Sequence, residues 1–253
     1  MENKNIKVLI AARMGSSRFP GKTLSQLNGS PMIARLIDRI KKSKNYSGIV
    51  IATTKNPEDD PLQAWCEENN IECFRGSSDD VLGRLYNAAK YHNINTIIEI
   101  LGDNPLVHSS LIDSCLDIFF NGEYDYVATL TKEYPKALKT LKMFPIGVRV
   151  QVMKFETLKR CEKEATLPKY REHATSYIAE NPDKFKTGFL DASGKYQNCS
   201  RPELTFAVNL RKNFQLISNI DSYCSKKKEN FNIEDAINAY DLHPEWWDLM
   251  GND

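Results

Sequence analysis

Three fixed cations stand among small residues in IAARMGSSRFPGKTL, residues 10–24: Arg13, Arg18 and Lys22 are interleaved with Gly15, Ser16, Ser17 and Gly21. Glycines and serines let the backbone approach a bulky anion with its N–H groups turned inward, while guanidinium and ammonium groups neutralise the oxygens. Directly after a first apolar strand, this composition predicts a polyphosphate-binding loop. It is not a Walker loop, because Gly15 and Lys22 do not reproduce that spacing, and it lacks the G-x-G-x-x-G of dinucleotide sites. A second candidate is Asp103 in LGDNPLV, residues 101–107, where it ends a strand beside Gly102. Seen alone, an aspartate before Asn-Pro is as readily an Asx turn or a helix cap. Facing a triphosphate, it is placed to hold Mg2+, which takes one or two protein carboxylates and completes its octahedron with phosphates and waters. A third segment, RGSSDDVLGRLYNAA at 75–89, sets Ser77 and Ser78 before two acids and a helix, so the first turn is capped and matched to the helix dipole whatever else it does.

The elements that must position these residues alternate. Apolar runs at 6–12, 48–54, 71–76, 96–103 and 124–130 read as strands, and the stretches near 31–43, 60–70, 79–91 and 109–120 as helices, the last capped by Ser109. That rhythm predicts parallel βαβ units, and the continuous apolar character of the strands predicts a sheet covered on both faces. Open sheets of this kind bind ligands at the carboxyl ends of their strands, where both the loop and Asp103 fall. After residue 130 the pattern changes: TKEYPKALKTLKMFP carries two prolines and four lysines before the strand GVRVQVM and the helix KFETLKRCEKEA. An inserted lobe over 131–202 is expected, its charged helix a solvated face, with the chain rejoining the main sheet through a strand at 203–209 and a helix at 211–222.

Composition narrows the function. With 34 Lys and Arg against 33 Asp and Glu, the net charge of +1 gives no electrostatic footprint for DNA or RNA, so the basic loop reads as a local anion site and no nucleic-acid partner is expected. The six cysteines show no C-x-x-C and no pairing with the four histidines, so neither zinc nor a disulfide framework is implied. No apolar run approaches the roughly 18 residues of a membrane span, which makes the cytoplasm the expected location and a membrane an unexpected partner.

The first loop resembles the signature of the CMP-sugar synthetases: the CMP-Kdo synthetases, the acylneuraminate cytidylyltransferases and above all the spore-coat polysaccharide cytidylyltransferase-like family. In those families an Arg, a Ser, a second Arg and then Pro-Gly-Lys hold the triphosphate of CTP; the matching positions are Arg13, Ser16, Arg18, Pro20, Gly21 and Lys22. The likeness continues through 75–89, 101–107, FPIGVRVQV at 144–152 and REHATSYIAENPDKF at 171–185. It implies one Rossmann-like α/β nucleotidyltransferase domain of the nucleotide-diphospho-sugar transferase type, working as a homodimer on CTP and a small acidic sugar. It further implies attack of a sugar oxygen on the α-phosphorus of CTP with release of pyrophosphate. By resemblance, Arg13, Lys22 and Asp103 are the catalytic set, Ala11, Ala12, Gly15, Ser16, Arg18 and Ser77 also meet the nucleotide, and Arg84 is either a nucleotide contact or a surface ion pair. Arg171 and His173 face an acidic sugar or a dimer partner.

Departures from the family pattern fall on its acids. Arg149 and Gln151 stand where acids are expected, which makes them candidates for meeting an anionic substrate, and Asn209 and Asn213 replace aspartates. Asn209 still offers a neutral carbonyl oxygen beside Asp103 for a metal, but without a full negative charge. Besides a cytidylyltransferase, the sequence leaves open a weakened nucleotide-binding paralogue that partners an active enzyme, and a glycosyltransferase, although no D-x-D follows the central strand.

Overall fold

The computed structural model describes residues 5–134 and 142–251. Strand β1 (Ile6–Ala11) runs into the cationic loop, a short hairpin of β2 (Gln26–Leu27) and β3 (Ser30–Pro31), and helix α1 (Met32–Ile40). Alternation continues through β4 (Gly48–Thr54), α2 (Asp60–Glu68), β5 (Glu72–Gly76), α3 (Val81–Tyr91), β6 (Thr96–Leu101) and α4 (Ser109–Asn121). Then follow β7 (Tyr126–Thr129), β8 (Val150–Lys154), α5 (Phe155–Glu164), the single-turn helices α6 (Pro168–Glu172) and α7 (Ser176–Glu180), β9 (Thr187–Leu190), α8 (Arg211–Lys227) and α9 (Ile233–Asp241). No described helix is long and apolar enough to cross a membrane.

Seven strands form one sheet in the order β5-β4-β1-β6-β8-β7-β9. The first four are mutually parallel, β8 is antiparallel to both neighbours, and β9 is parallel to β7. Successive residues of a strand point to opposite faces, and here both faces are buried. Val8, Ile10, Ile51, Ile98 and Ile100 pack with α1, α4, α8 and α9 on one side, and Leu9, Val50, Ala52 and Ile97 pack with Leu82, Leu85 and Leu158 on the other. Strand order reverses between β1 and β6, so the crevice of a doubly wound sheet opens between their carboxyl ends. Gly102 makes the close approach there possible: a Cβ at this position would lie 2.7 Å from that of Ala12 and 3.1 Å from the Ala11 carbonyl oxygen.

Three sequence expectations are corrected. Segment 131–202 is not a lobe beside the sheet, because β8 lies inside the sheet between β6 and β7 and β9 closes its edge; residues 135–141 of that segment lie outside the described residues. Residues 203–209 do not rejoin the sheet as a strand. Their backbone is divided between two partners, with the Ile146 N–H donating to Leu204, Phe206 donating to Ile146 and Val208 donating to Asp103, leaving a single bridge between Ile146 and Thr205. Helix α4 is capped by His108 rather than Ser109: His108 is extended, and its Nδ1 accepts the Ser110 N–H at 3.2 Å.

Candidate active site

The cationic loop folds around one carbonyl. Met14 O accepts both the Ser16 and the Gly21 N–H at 2.9 Å, and Gly21 takes φ 76°, a left-handed conformation suited to glycine. Phe19, 4% exposed, nails the loop down by meeting Phe214 of α8 edge to face at 5.5 Å. Arg13 and Arg18 are left at the surface, whereas Lys22 turns inward. The Ala11 carbonyl accepts the Gly102 N–H and the Ala12 N–H donates to Ala52, so both alanines spend backbone groups on neighbouring strands and shape the base of the crevice.

Lys22 is the hub. Its Nζ lies 3.0 Å from Asp103 Oδ2 and donates to the Val208 carbonyl at 2.7 Å, while the Val208 N–H donates to the Asp103 carbonyl. One residue on, Asn209 Oδ1 accepts from Arg18 at 3.3 Å. Lys22, Arg18, Asp103 and Asn209 thus converge at the carboxyl ends of β1 and β6. Asn213, the other expected aspartate, works structurally: its Oδ1 accepts the Asn209 and Leu210 N–H groups at the start of α8, and its Nδ2 donates to Leu249 and Gly251.

A groove of about 550 Å3 adjoins the loop, lined by Arg13, residues 78–81, Thr166, Pro168, Arg171 and Glu172. Ser77 is exposed at its rim. Arg84 does not enter the groove. It is 4% exposed, lies against Gly76 and donates to the Ser77 carbonyl, and burial followed by the nearby charge of Arg13 lowers its pKa. Arg171 is likewise engaged: its Nε and NH2 both hold Asp80, the residue that caps α3 through the Gly83 N–H, and its NH1 donates to the Glu162 carbonyl. Burial would raise the Asp80 carboxyl, but the Arg171 hydrogen bond and charge and the Gly83 amide outweigh it and hold the pKa below the usual value. Arg171 therefore braces the groove wall, its guanidinium engaged by Asp80 and Glu162 while its side chain stays 20% exposed to the groove.

A second cavity, of about 270 Å3, lies along the same sheet edge and is lined by Arg149, His173, Glu133, Tyr134, Thr175 and Ser176 among others. Arg149 immediately precedes β8, whose Val150 pairs with Ile100 of β6. It therefore sits about one strand spacing, roughly 4.8 Å, from Leu101 at the end of β6, two residues before Asp103. Helix α6 divides the two spaces, with Arg171 on the groove side and His173 on the cavity side. Gln151, 1% exposed, lies beneath the cavity rather than in its wall: its Oε1 accepts the Tyr126 and Tyr134 hydroxyls, and its Nε2 donates to Glu99 at 3.1 Å. Burial raises the Glu99 carboxyl, and Arg149 only partly offsets this. Gln151 thus acts on the cavity through Tyr134, which corrects its reading as a direct substrate contact.

A magnesium site fits what is present. Asp103 and the Asn209 carbonyl are hard oxygen donors on adjacent segments. So small a protein donor set suits an ion that takes most of its oxygens from phosphates and water. The six cysteines are free.

One residue that shapes the loop escaped the sequence reading. Asp59, 1% exposed, accepts the Met14 N–H at 2.6 Å with one oxygen and the Thr54 N–H and hydroxyl with the other, tying the cationic loop to the end of β4. Its position in an acidic run, PEDD, carries no signal that singles it out. Asp59→Asn puts an NH2 donor against donors on one side, and a loss of about 1–3 kcal/mol of stability is expected in urea unfolding. An unchanged midpoint would show that the loop is held without it.

Residues 7–233 match the family model for cytidylyltransferases. The chain is 29% identical over 218 residues to the spore coat polysaccharide biosynthesis protein SpsF of Bacillus subtilis, covering 84% of this chain and 85% of that one. It is 36% identical over 111 residues to a 3-deoxy-manno-octulosonate cytidylyltransferase of Polynucleobacter asymbioticus, covering 42% of each. Among solved structures it is similar to a cytidylyltransferase from Leptospira borgpetersenii serovar Hardjo-bovis, with a TM-score of 0.83, 25% identity and 99% of each chain covered.

Proposed function

The chain belongs to the cytidylyltransferase family, and on that premise we propose that it transfers CMP from CTP to a sugar acid, with release of pyrophosphate, in building a surface polysaccharide. The observation that carries this reading is the convergence of Lys22, Asp103, Arg18 and Asn209 where the strand order reverses, with a groove on one side and an Arg149-lined cavity on the other. In this account Arg13, Arg18 and Lys22 bind the triphosphate, the groove takes the nucleoside, and the cavity takes the acceptor with its carboxylate toward Arg149 and His173. An acceptor oxygen forms a bond to the α-phosphorus as the bond from that phosphorus to the bridging oxygen of pyrophosphate breaks. The loop cations stabilise the charge that gathers on the leaving group, and such positioning and charge stabilisation carry phosphoryl-type transfers. Asp103, with the Asn209 carbonyl, would hold Mg2+, which supplies further neutralisation of the phosphate oxygens when bound.

A deeply set cation in the acceptor cavity supports the sugar-acid reading. Burial would lower the Arg149 pKa, but its interactions with Tyr134, Glu133 and Glu99 raise it overall, so the guanidinium remains a fixed cation in the cavity. The Polynucleobacter relative, named for 3-deoxy-manno-octulosonate, supports a sugar-acid acceptor, and the Bacillus relative, named for spore coat polysaccharide biosynthesis, supports a polysaccharide pathway. The test is thermal unfolding with CTP, UTP, GTP or ATP, with and without magnesium, since a ligand at about 100 times its Kd stabilises by roughly 2.7 kcal/mol. A CTP-selective shift enlarged by magnesium is expected. Equal shifts with all four nucleotides, or none, would overturn the reading, and a CTP shift indifferent to magnesium would favour a weakened paralogue with Asn209 in place of an acid.

A further inference from the structure

The acceptor cavity contains a carboxylate of its own. Glu133 Oε1 stands 3.7 Å from Arg149 NH1, near enough for charge attraction but beyond hydrogen-bond length. Among the described residues its Oε2 accepts one hydroxyl, that of Thr131 at 3.2 Å, and the side chain is 37% exposed. Arg149 is the more deeply set partner, with a side chain 17% exposed, and its Nε is buried without a hydrogen-bond partner. A guanidinium prefers to be met by a carboxylate in a two-pronged, hydrogen-bonded arrangement. Glu133 supplies only a long single-pronged one, and leaves a buried donor unmet in the wall of a cavity that is large enough for a sugar.

We propose that Glu133 is a specificity gate: its carboxylate holds the Arg149 site in the absence of acceptor and yields only to an acceptor that brings a carboxylate of its own. A sugar acid replaces the long ion pair with a hydrogen-bonded one and releases Glu133 to solvent. A neutral sugar brings only hydroxyls, which are weaker partners for the guanidinium, and is excluded by the competing charge. Rejection of neutral sugars is thus built from a repulsive element in addition to an attractive one. The inference rests on the cavity being the acceptor site.

The experiment is steady-state pyrophosphate release with CTP and magnesium over a panel of sugar acids and their neutral counterparts, for the wild type, Glu133→Gln and Arg149→Ala. The gate predicts that Glu133→Gln lowers the KM of the best sugar acid about three- to tenfold and lets neutral sugars in, with the change falling on acceptor KM rather than on CTP KM. Arg149→Ala is expected to raise the acceptor KM at least tenfold. If Arg149→Ala does so but Glu133→Gln leaves the acceptor KM unchanged or raises it, the gate is wrong and the acceptor assignment stands. If Arg149→Ala leaves the acceptor KM unchanged, or no sugar acid turns over, the acceptor assignment fails and the gate fails with it. Circular dichroism of both variants excludes unfolding as the cause, and Arg149→Lys, which keeps the charge without the fork, should recover only part of the loss.

Discussion

Lys22→Ala is expected to lower kcat/KM for CTP by about 10²- to 10³-fold, the usual cost of removing one preorganised donor from a group-transfer site. The lysine carries this weight because it alone of the loop cations is turned inward, where it meets both Asp103 and the Val208 carbonyl. Its removal deprives the triphosphate of a cation and leaves Asp103 without its counter-charge, so CTP binding should weaken both with and without magnesium. The fold should survive, since Phe19, Asp59 and the Met14 carbonyl hold the loop independently. Steady-state kinetics alongside urea unfolding checks this. An unchanged kcat/KM in a stably folded variant would place the triphosphate elsewhere.

Asp103→Asn should produce a different signature. The amide keeps an acceptor for Lys22 but removes the negative charge, so kcat is expected to fall by about 10²-fold or more and the magnesium concentration for half-maximal rate to rise at least about tenfold. In metal-free buffer the sign reverses: with a carboxylate removed from beside a polyanion, CTP should bind as tightly as to the wild type or more tightly. Calorimetric titration with and without magnesium separates the two effects. Weaker binding in metal-free buffer would mean that Asp103 serves CTP through the position of Lys22 rather than through a metal.

What could be read from the sequence was chemistry carried by local spacing. The anion loop needed only its own residues, the β4 strand at 48–54 only a continuous apolar run, and Asp103 only its place at a strand end beside Gly102. What escaped depends on partners far along the chain. Arg171 is held by Asp80, 91 residues earlier, and Gln151 by Glu99, 52 residues earlier, so both looked free to meet a substrate. Likewise the apolar run at 203–209 is indistinguishable from a strand by pattern, yet its hydrogen bonds are shared between the 144–146 segment and the Asp103 turn. The reading of 131–202 as a separate lobe failed for the same reason, because proline and lysine content cannot show that β8 turns back antiparallel into the middle of a parallel sheet. The cap of α4 turned on a histidine, a residue seldom weighed for that position.

Passage of CMP from CTP to a carboxylated sugar is followed by isotopic label. Wild-type protein is incubated with magnesium, CTP labelled at the α- or the γ-phosphorus, and 3-deoxy-manno-octulosonate or another sugar acid. α-Label is expected in a sugar nucleotide and γ-label in pyrophosphate, in equal amounts. Label that stays in CTP with every sugar acid offered, or that passes only to neutral sugars, would contradict this transfer.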